Sequence, residues 1–390
     1  MLQAGSGLST KSSAGEAAAE AARQALAACG GERADLALAF ATGVAELPAP
    51  ELLQTVRRVT GTRTILGATG AGVLAERGEV EQVPAVAVLA VRHDRLLLAP
   101  ALVAGRETLD AAAGAELAEQ VGAVVAEGGS LFVLPDPQCE PRGLLAGLAE
   151  ELGPVPVTGG VAAGAPAFEW CDGEVIQGGL VALAIGGSAP IIGVGQGCEP
   201  IGEPYVVTRS DGHVVRAIAG RPALDVLKDA IRSVPGYEQR APRAGIFAGL
   251  AMDPAKSPLE RGDFLVRNLA GVDRESGSVA VAGDVRVGQT IQFQIRDAAA
   301  ARQDLEAMLG RVQRALAGRR PAFGFYVNCA ARGRALFGVP DHDVGLIRAR
   351  LGHFPLVGLF GNGEFAPVGG ANFFHTYTGV LVVFPHASEG

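Results

Sequence analysis

Lysine is almost missing from this 390-residue chain, which has only Lys11, Lys228 and Lys256. The other positive charges are arginines scattered among acids, and the net charge is −8. Binding to a phosphate backbone rests on clustered Lys and Arg, so a nucleic-acid partner is excluded. Cysteine is scarce too: Cys29, Cys139, Cys171, Cys198 and Cys329 are an odd number, widely spaced, with no CxxC pair. That pattern argues against a zinc cage and for reduced thiols in a cytoplasmic protein. The N-terminus, MLQAGSGLSTKSSAGEAAAEAARQ, lacks the apolar core of a signal peptide. Aromatic residues make up only 5% of the chain, but 48% is hydrophobic and 19% charged, which excludes disorder and leaves room for two or three packed domains.

One charge-free run needs a reading of its own. Residues 175–198, VIQGGLVALAIGGSAPIIGVGQGC, are numerous enough to span a bilayer. Seven glycines and Pro190 divide them, however, into two short apolar runs, LVALAI and PIIGVG, around a GGSA turn. The expectation is strand, turn, strand, without membrane insertion.

Helix and strand patterns are interleaved throughout. Ser13 and Glu16 have capping-box spacing, which predicts a first helix over about 13–29. Further helices are expected at PELLQTVRRV, at about 108–127, at RGLLAGLAEEL, at RPALDVLKDAIRSV, after Asp297 as N-cap, and near 341–351. Strands are expected at DLALAFAT, RTILGATG, PAVAVLAV, SLFVLPD, FGFYVNCA and FPLVGLFG, and Asp211-Gly212 marks a hairpin. The fold class is therefore α/β in the mixed α+β sense, with sheets flanked by helices.

A repeat runs through this pattern. An apolar strand, then G-x-x-[G/A]-x-G, then a second apolar strand about twenty residues on, occurs at ILGATGAG before PAVAVLAV, VTGGVAAG before LVALAI, and LVGLFGNG before GVLVVF. The matched positions are Gly67, Gly70, Gly72; Gly159, Ala162, Gly164; and Gly358, Gly361, Gly363. Recurrence at a shared spacing points to duplication. Two related domains are expected, over residues 1–196 and 197–390.

The loops do not fit a nucleotide site: the G-x-G-x-x-G order is reversed, no helix follows, and no GxxxxGK[ST] exists. In the first two copies the glycines read as tight bends. The third copy carries side chains: Glu364 follows Gly363, Asn372 and His375 follow among Phe373 and Phe374, and Cys329, Arg332 and Gly333 lie upstream. Arg332 suits a ligand's anionic end and Glu364 with Asn372 a cationic end, with Phe360 and Phe374 as apolar walls, so a small zwitterion such as an amino acid fits. A cysteine-dependent enzyme using Cys329 and His375 is the rival reading, and an interaction scaffold a third. HTYTG lacks metal spacing, so neither a metal nor a cofactor is expected.

The run CAARGRALFG, then FPLVGLFGNGEFAPVGG and NFFHTYTG, resembles the C-terminal signature of the FIST family. TILGATGAGVLAERGEVEQVPAVAVLAV is similar to its N-terminal region. The resemblance implies an intracellular sensory protein that binds a small ligand, with amino acids the suggested class. It carries the family's positions onto Cys329, Arg332, Gly333, Gly361, Gly363, Glu364, Asn372 and His375. This chain shows no kinase, cyclase or receptor output domain, so the resemblance implies a stand-alone sensor reporting to a separate signalling protein. Val73 follows Gly72 where the third copy has Glu364, which argues against an equivalent ligand site at the first turn.

Overall fold

The computed structural model describes the chain except for Met1 and residues 44–47, 127, 241–243 and 388–390. It forms two compact units of a mixed α+β protein. The first comprises residues 1–194, 308–374 and 378–390, and the second residues 195–307 and 375–377.

All three glycine turns lie in the first unit, and each belongs to a larger repeat: edge strand, helix, first strand, helix or helices, turn strand, hairpin, return strand. In the first repeat these are Gln3–Ser9, Ala14–Ala28, Leu36–Thr42, Ala49–Thr60, Thr64–Thr69, the hairpin Gly72–Ala75 with Gly78–Glu81, and Ala85–Arg92. The second runs Leu97–Val103, Ala111–Val125, Ser130–Pro135, Pro141–Leu152, Val157–Gly160, Glu169–Cys171 with Glu174–Ile176, and Leu180–Gly186. The third begins at Ile191–Gly195 and resumes with the helix Ala298–Leu316. It continues through Pro321–Cys329, helices Gly333–Phe337 and His342–Leu351, Leu356–Gly361, Glu364–Val368 with Ala371–His375, and Gly379–Pro385. The main segment of the second unit, residues 195–307, thus runs from the end of the third edge strand into the first half of the helix Ala298–Leu316. The helix starts expected from the sequence carry their caps: Ser13 accepts the Glu16 N–H at 3.4 Å and Asp297 the Ala300 N–H at 2.8 Å. The charge-free run contains the strands Leu180–Gly186 and Ile191–Gly195, which join different sheets, and no described helix is long and apolar enough to cross a membrane.

In each of the three sheets the first and turn strands are parallel, and the return strand lies antiparallel on the other side of the first strand, with the edge strand beyond it. The hairpins do not stay at home. The first repeat's hairpin pairs with the third turn strand, the second's with the first, and the third's with the second. The turns themselves interlock through three equivalent backbone hydrogen bonds, each 2.9 Å long: Ala71 N–H to Phe360 O, Ala163 N–H to Thr69 O, and Asn362 N–H to Val161 O. Close approach of the parallel strands demands glycine. A Cβ on Gly67, Gly159 or Gly358 would overlap the carbonyl oxygen of Ala39, Val133 or Tyr326, the residue paired with it in each case.

One apolar cluster draws residues from all three sheets, including Phe40, Leu134, Phe325, Val327 and Phe384. Helices cover the other face of the first two sheets, through Ala-rich contacts such as Ala18, Ala22, Leu52 and Val56, and through Leu117, Val121, Leu144 and Leu148. Buried on both faces, the first strands read as unbroken apolar runs such as LALAFAT rather than as alternation.

In the second unit six antiparallel strands close on themselves: Thr290–Arg296, Tyr205–Asp211, Val214–Ile218, Ser278–Val281, Phe264–Asp273, Gly245–Ala251 and back to Thr290–Arg296. The Asp211-Gly212 hairpin is there as expected, and the helix Ala223–Arg232 packs Leu224 and Leu227 onto the core of this unit.

Gly67→Ala and Gly358→Ala should each lower stability by at least about 1–3 kcal/mol through overpacking. Gly345→Ala, in a helix with open space around it, should be neutral or stabilising by up to about 1 kcal/mol. Denaturant midpoints of the three variants check this, and equal effects in all of them would refute the close-approach argument.

Candidate functional site

Side chains alternate across a strand, so residues two apart share a face. On the first strands Phe40, Leu134 and Val327 point into the central cluster. Two residues farther on stand Thr42, Asp136 and Cys329, equivalent positions that continue the same file with polar groups, 6%, 6% and 7% exposed. The apolar core therefore ends in a polar layer.

In the third repeat this layer contains Glu364, the first residue of the exchanged hairpin, paired with Gly160 and 0% exposed. Its Oε2 accepts the Thr378 N–H at 3.1 Å, while Oε1 is buried without a hydrogen-bond partner of good geometry. Cys329 lies beside it, its own N–H bonded to Thr378 O at 3.1 Å. Burial pushes the Glu364 carboxyl up to about 8, against the lowering effects of the Thr378 N–H, the Cys329 thiol and the Arg332 guanidinium. Gly361 and Gly363 shape this corner. A Cβ on Gly361 would stand 2.9 Å from Val161 O, and one on Gly363, at φ 112°, would enter the Phe374 ring.

Arg332 is 1% exposed, and its Nε and Nη2 donate to Asp343 Oδ2 at 3.1 and 2.9 Å. The Tyr326 hydroxyl donates to the same oxygen at 2.9 Å, and His342 Nδ1 lies 2.7 Å from Oδ1. Burial alone would raise Asp343, but Arg332, His342 and Tyr326 outweigh it and hold the carboxyl at about 2. The first repeat's hairpin braces this segment. Glu79 Oε1 accepts the Val344 N–H at 2.8 Å and Glu81 Oε1 the Arg334 N–H at 2.9 Å, beside Gly333 at φ 63°. Burial, then the Asp343 charge, push Glu79 up to about 8.

The structure thus brings Cys329, Glu364, Gly361 and Gly363 together, with Arg332 and Gly333 next to them. Asn372 is placed elsewhere. Its amide bridges backbone, accepting from Val157 N–H at 2.9 Å and donating to Val155 O at 2.8 Å, so it fastens the exchanged hairpin to the second sheet. His375 is 1% exposed and belongs to the second unit, as do Thr376 and Tyr377, whose partners are Val266 O at 2.8 Å and the Phe247 ring at 4.6 Å. Phe360 is a core residue and Phe374 is half-buried. Sequence reasoning passed over Tyr326, Asp343, Glu79, Asp136 and Glu169. Asp343 carries the one usable signal, an acid in the first turn of a helix, where the exposed role is the ordinary one.

The FIST N domain matches residues 35–221 and the FIST C domain residues 223–367. The chain belongs to the FIST family. An uncharacterized protein of Mycobacterium tuberculosis is 35% identical over 388 residues, covering 98% of this chain and 100% of its own. A second, from Mycobacterium bovis, is 33% identical over 391 residues, covering 98% and 99%. The crystal structure of cyanuric acid hydrolase from A. caulinodans aligns over 98% of this chain and 99% of that one, at 11% identity and a TM-score of 0.33.

Arg332→Met should cost about 3–5 kcal/mol by leaving Asp343 buried and uncompensated, and Arg332→Met with Asp343→Leu should recover most of it. A single variant as stable as the parent in a denaturant titration would deny the pair this role. Glu79, Glu169 and Glu364 sit near 8 against 4.5 for a free carboxyl, so between those values the native state holds protons that the unfolded chain has released. Stability from this source is greatest below pH 4.5 and falls as pH rises through 8. Asp343, at about 2 against 3.8, works in the opposite sense, losing its contribution only below about pH 4. The melting temperature should therefore drop from pH 5 to pH 8.5, and Glu364→Gln should flatten that drop.

Proposed function

We propose that this protein is a cytoplasmic sensor that binds a small polar metabolite, most simply an amino acid, at the Glu364 corner and reports to a separate signalling protein. FIST domains are associated with sensory small-ligand binding. The observation that carries the reading here is Glu364 itself, a fully buried carboxyl whose Oε1 meets no donor of good hydrogen-bonding geometry. An unsatisfied buried acceptor costs roughly 1–3 kcal/mol, which a ligand N–H group offsets on binding. The ligand's ammonium meets Glu364, and Arg332 supplies positive field for its carboxylate. Gly361 and Gly363 admit Val161 O and the Phe374 ring against this corner, and Gly333 and Asn372 hold the surrounding chain. Five free cysteines accord with a reducing compartment.

A thermal-shift screen against amino acids and common metabolites, on the parent and on Glu364→Gln, tests this. A ligand at 100 times its Kd stabilises by about 2.7 kcal/mol, and that shift should vanish in the variant. No shift with any compound would sink the reading. Cys329, 7% exposed, should react with iodoacetamide no faster than the other cysteines. A Cys329 rate well above theirs would instead favour the cysteine-dependent enzyme with His375.

A further inference from the structure

The repeat register identifies a counterpart of Glu364 that the glycine spacing hides. Glu364 and Phe365 pair with Gly160 and Gly159, while Glu169 and Trp170 pair with Ala68 and Gly67. Glu169 is therefore to the first sheet what Glu364 is to the second. The loop from Gly164 to Glu169 is longer than the direct step from Gly363 to Glu364, so no G-E pair marks it. The neighbours match as well. Asp136 occupies the position of Cys329, and its N–H bonds to Gly179 O at 2.8 Å as that of Cys329 bonds to Thr378 O. The first repeat holds Val73 and Thr42 at these two positions and carries no charge there.

We propose that Asp136 and Glu169 form a second ligand site, for a cationic nitrogen group such as a primary ammonium. Glu169 is 0% exposed, and although the Gly179 N–H acts on its carboxyl as the Thr378 N–H does on Glu364, neither oxygen meets a donor of good hydrogen-bonding geometry. Asp136 is the outer member, 6% exposed, with Oδ1 accepting from Gln138 N–H at 2.9 Å and Oδ2 from Gly178 N–H at 3.1 Å. Its charge is thus anchored by backbone dipoles, and no side-chain cation is among the groups acting on Glu169. Burial and the like charge of Asp136 push Glu169 up to about 8. A cation arriving at Asp136 reverses that balance and favours ionised Glu169 behind it. The two sites differ in kind: Glu364 has Arg332 near it and suits a zwitterion, whereas Asp136 and Glu169 suit a simple amine.

The test is a thermal-shift titration with methylammonium, butylammonium and 1,4-diaminobutane chlorides, with sodium chloride as the ionic-strength control. The amines should raise the melting temperature saturably in the parent and in Glu364→Gln. The half-saturating concentration should rise at least tenfold in Glu169→Gln, an isosteric change that removes no well-formed hydrogen bond, and likewise in Asp136→Asn if that variant folds. An unchanged midpoint in Glu169→Gln, or no rise beyond sodium chloride, overturns the second site while leaving the amino-acid site to its own screen. A response lost in Glu364→Gln but kept in Glu169→Gln assigns the amines to the first site and also overturns the proposal.

Discussion

Three backbone hydrogen bonds between glycine turns hold the first unit's repeats in register. Each turn donates to one neighbour and accepts from the other, so the three bonds close a ring. Just before each turn, Gly67, Gly159 and Gly358 let the paired parallel strands approach without a Cβ. Everything that follows depends on this ring. The turns end the inward files of apolar residues, the files then end in Thr42, Asp136 and Cys329, and the hairpins leaving the turns carry Glu169 and Glu364 to the same layer.

Four carboxyls that burial perturbs strongly, Asp343, Glu79, Glu169 and Glu364, fall into two kinds. Asp343 is surrounded by donors, from Arg332, Tyr326 and His342, and is ionised at any ordinary pH. Glu79, Glu169 and Glu364 have too few donors to offset desolvation and hold their protons near neutrality. The first kind fixes a loop in place. The second is costly to bury, and Glu79 offsets part of that cost by accepting the Val344 N–H.

Much of the fold was legible in the sequence because its signals are local. Ser13 and Asp297 cap their helices, Asp211-Gly212 turns its hairpin, and the glycine spacing reveals the repeat three times. Hairpin exchange was not legible, since no local pattern says which sheet a short strand such as Gly72–Ala75 will join. The same limit applied to the site. Cys329 and Glu364 stood out through their glycine setting, but Arg332 gave no sign that its partner would be Asp343 in the next helix. Asn372 stood near Glu364 in sequence, yet the strand carries its amide to Val155 and Val157 instead. Glu169 was hidden by a longer loop.

The exchanged hairpins also constrain how the chain can come off a ribosome. The first sheet contains only strands that precede residue 177, so it can assemble early. The hairpin Gly72–Glu81 cannot: its partner is the strand Leu356–Gly361, made only after residues 195–307 have emerged. Until then an unpaired strand edge waits in a nascent chain, the condition that invites chaperone capture or aggregation. A fragment spanning residues 35–221 keeps that edge permanently open and also lacks the hairpin that completes the second sheet. In this chain the segments that match the FIST N and FIST C domains therefore do not coincide with the two compact units.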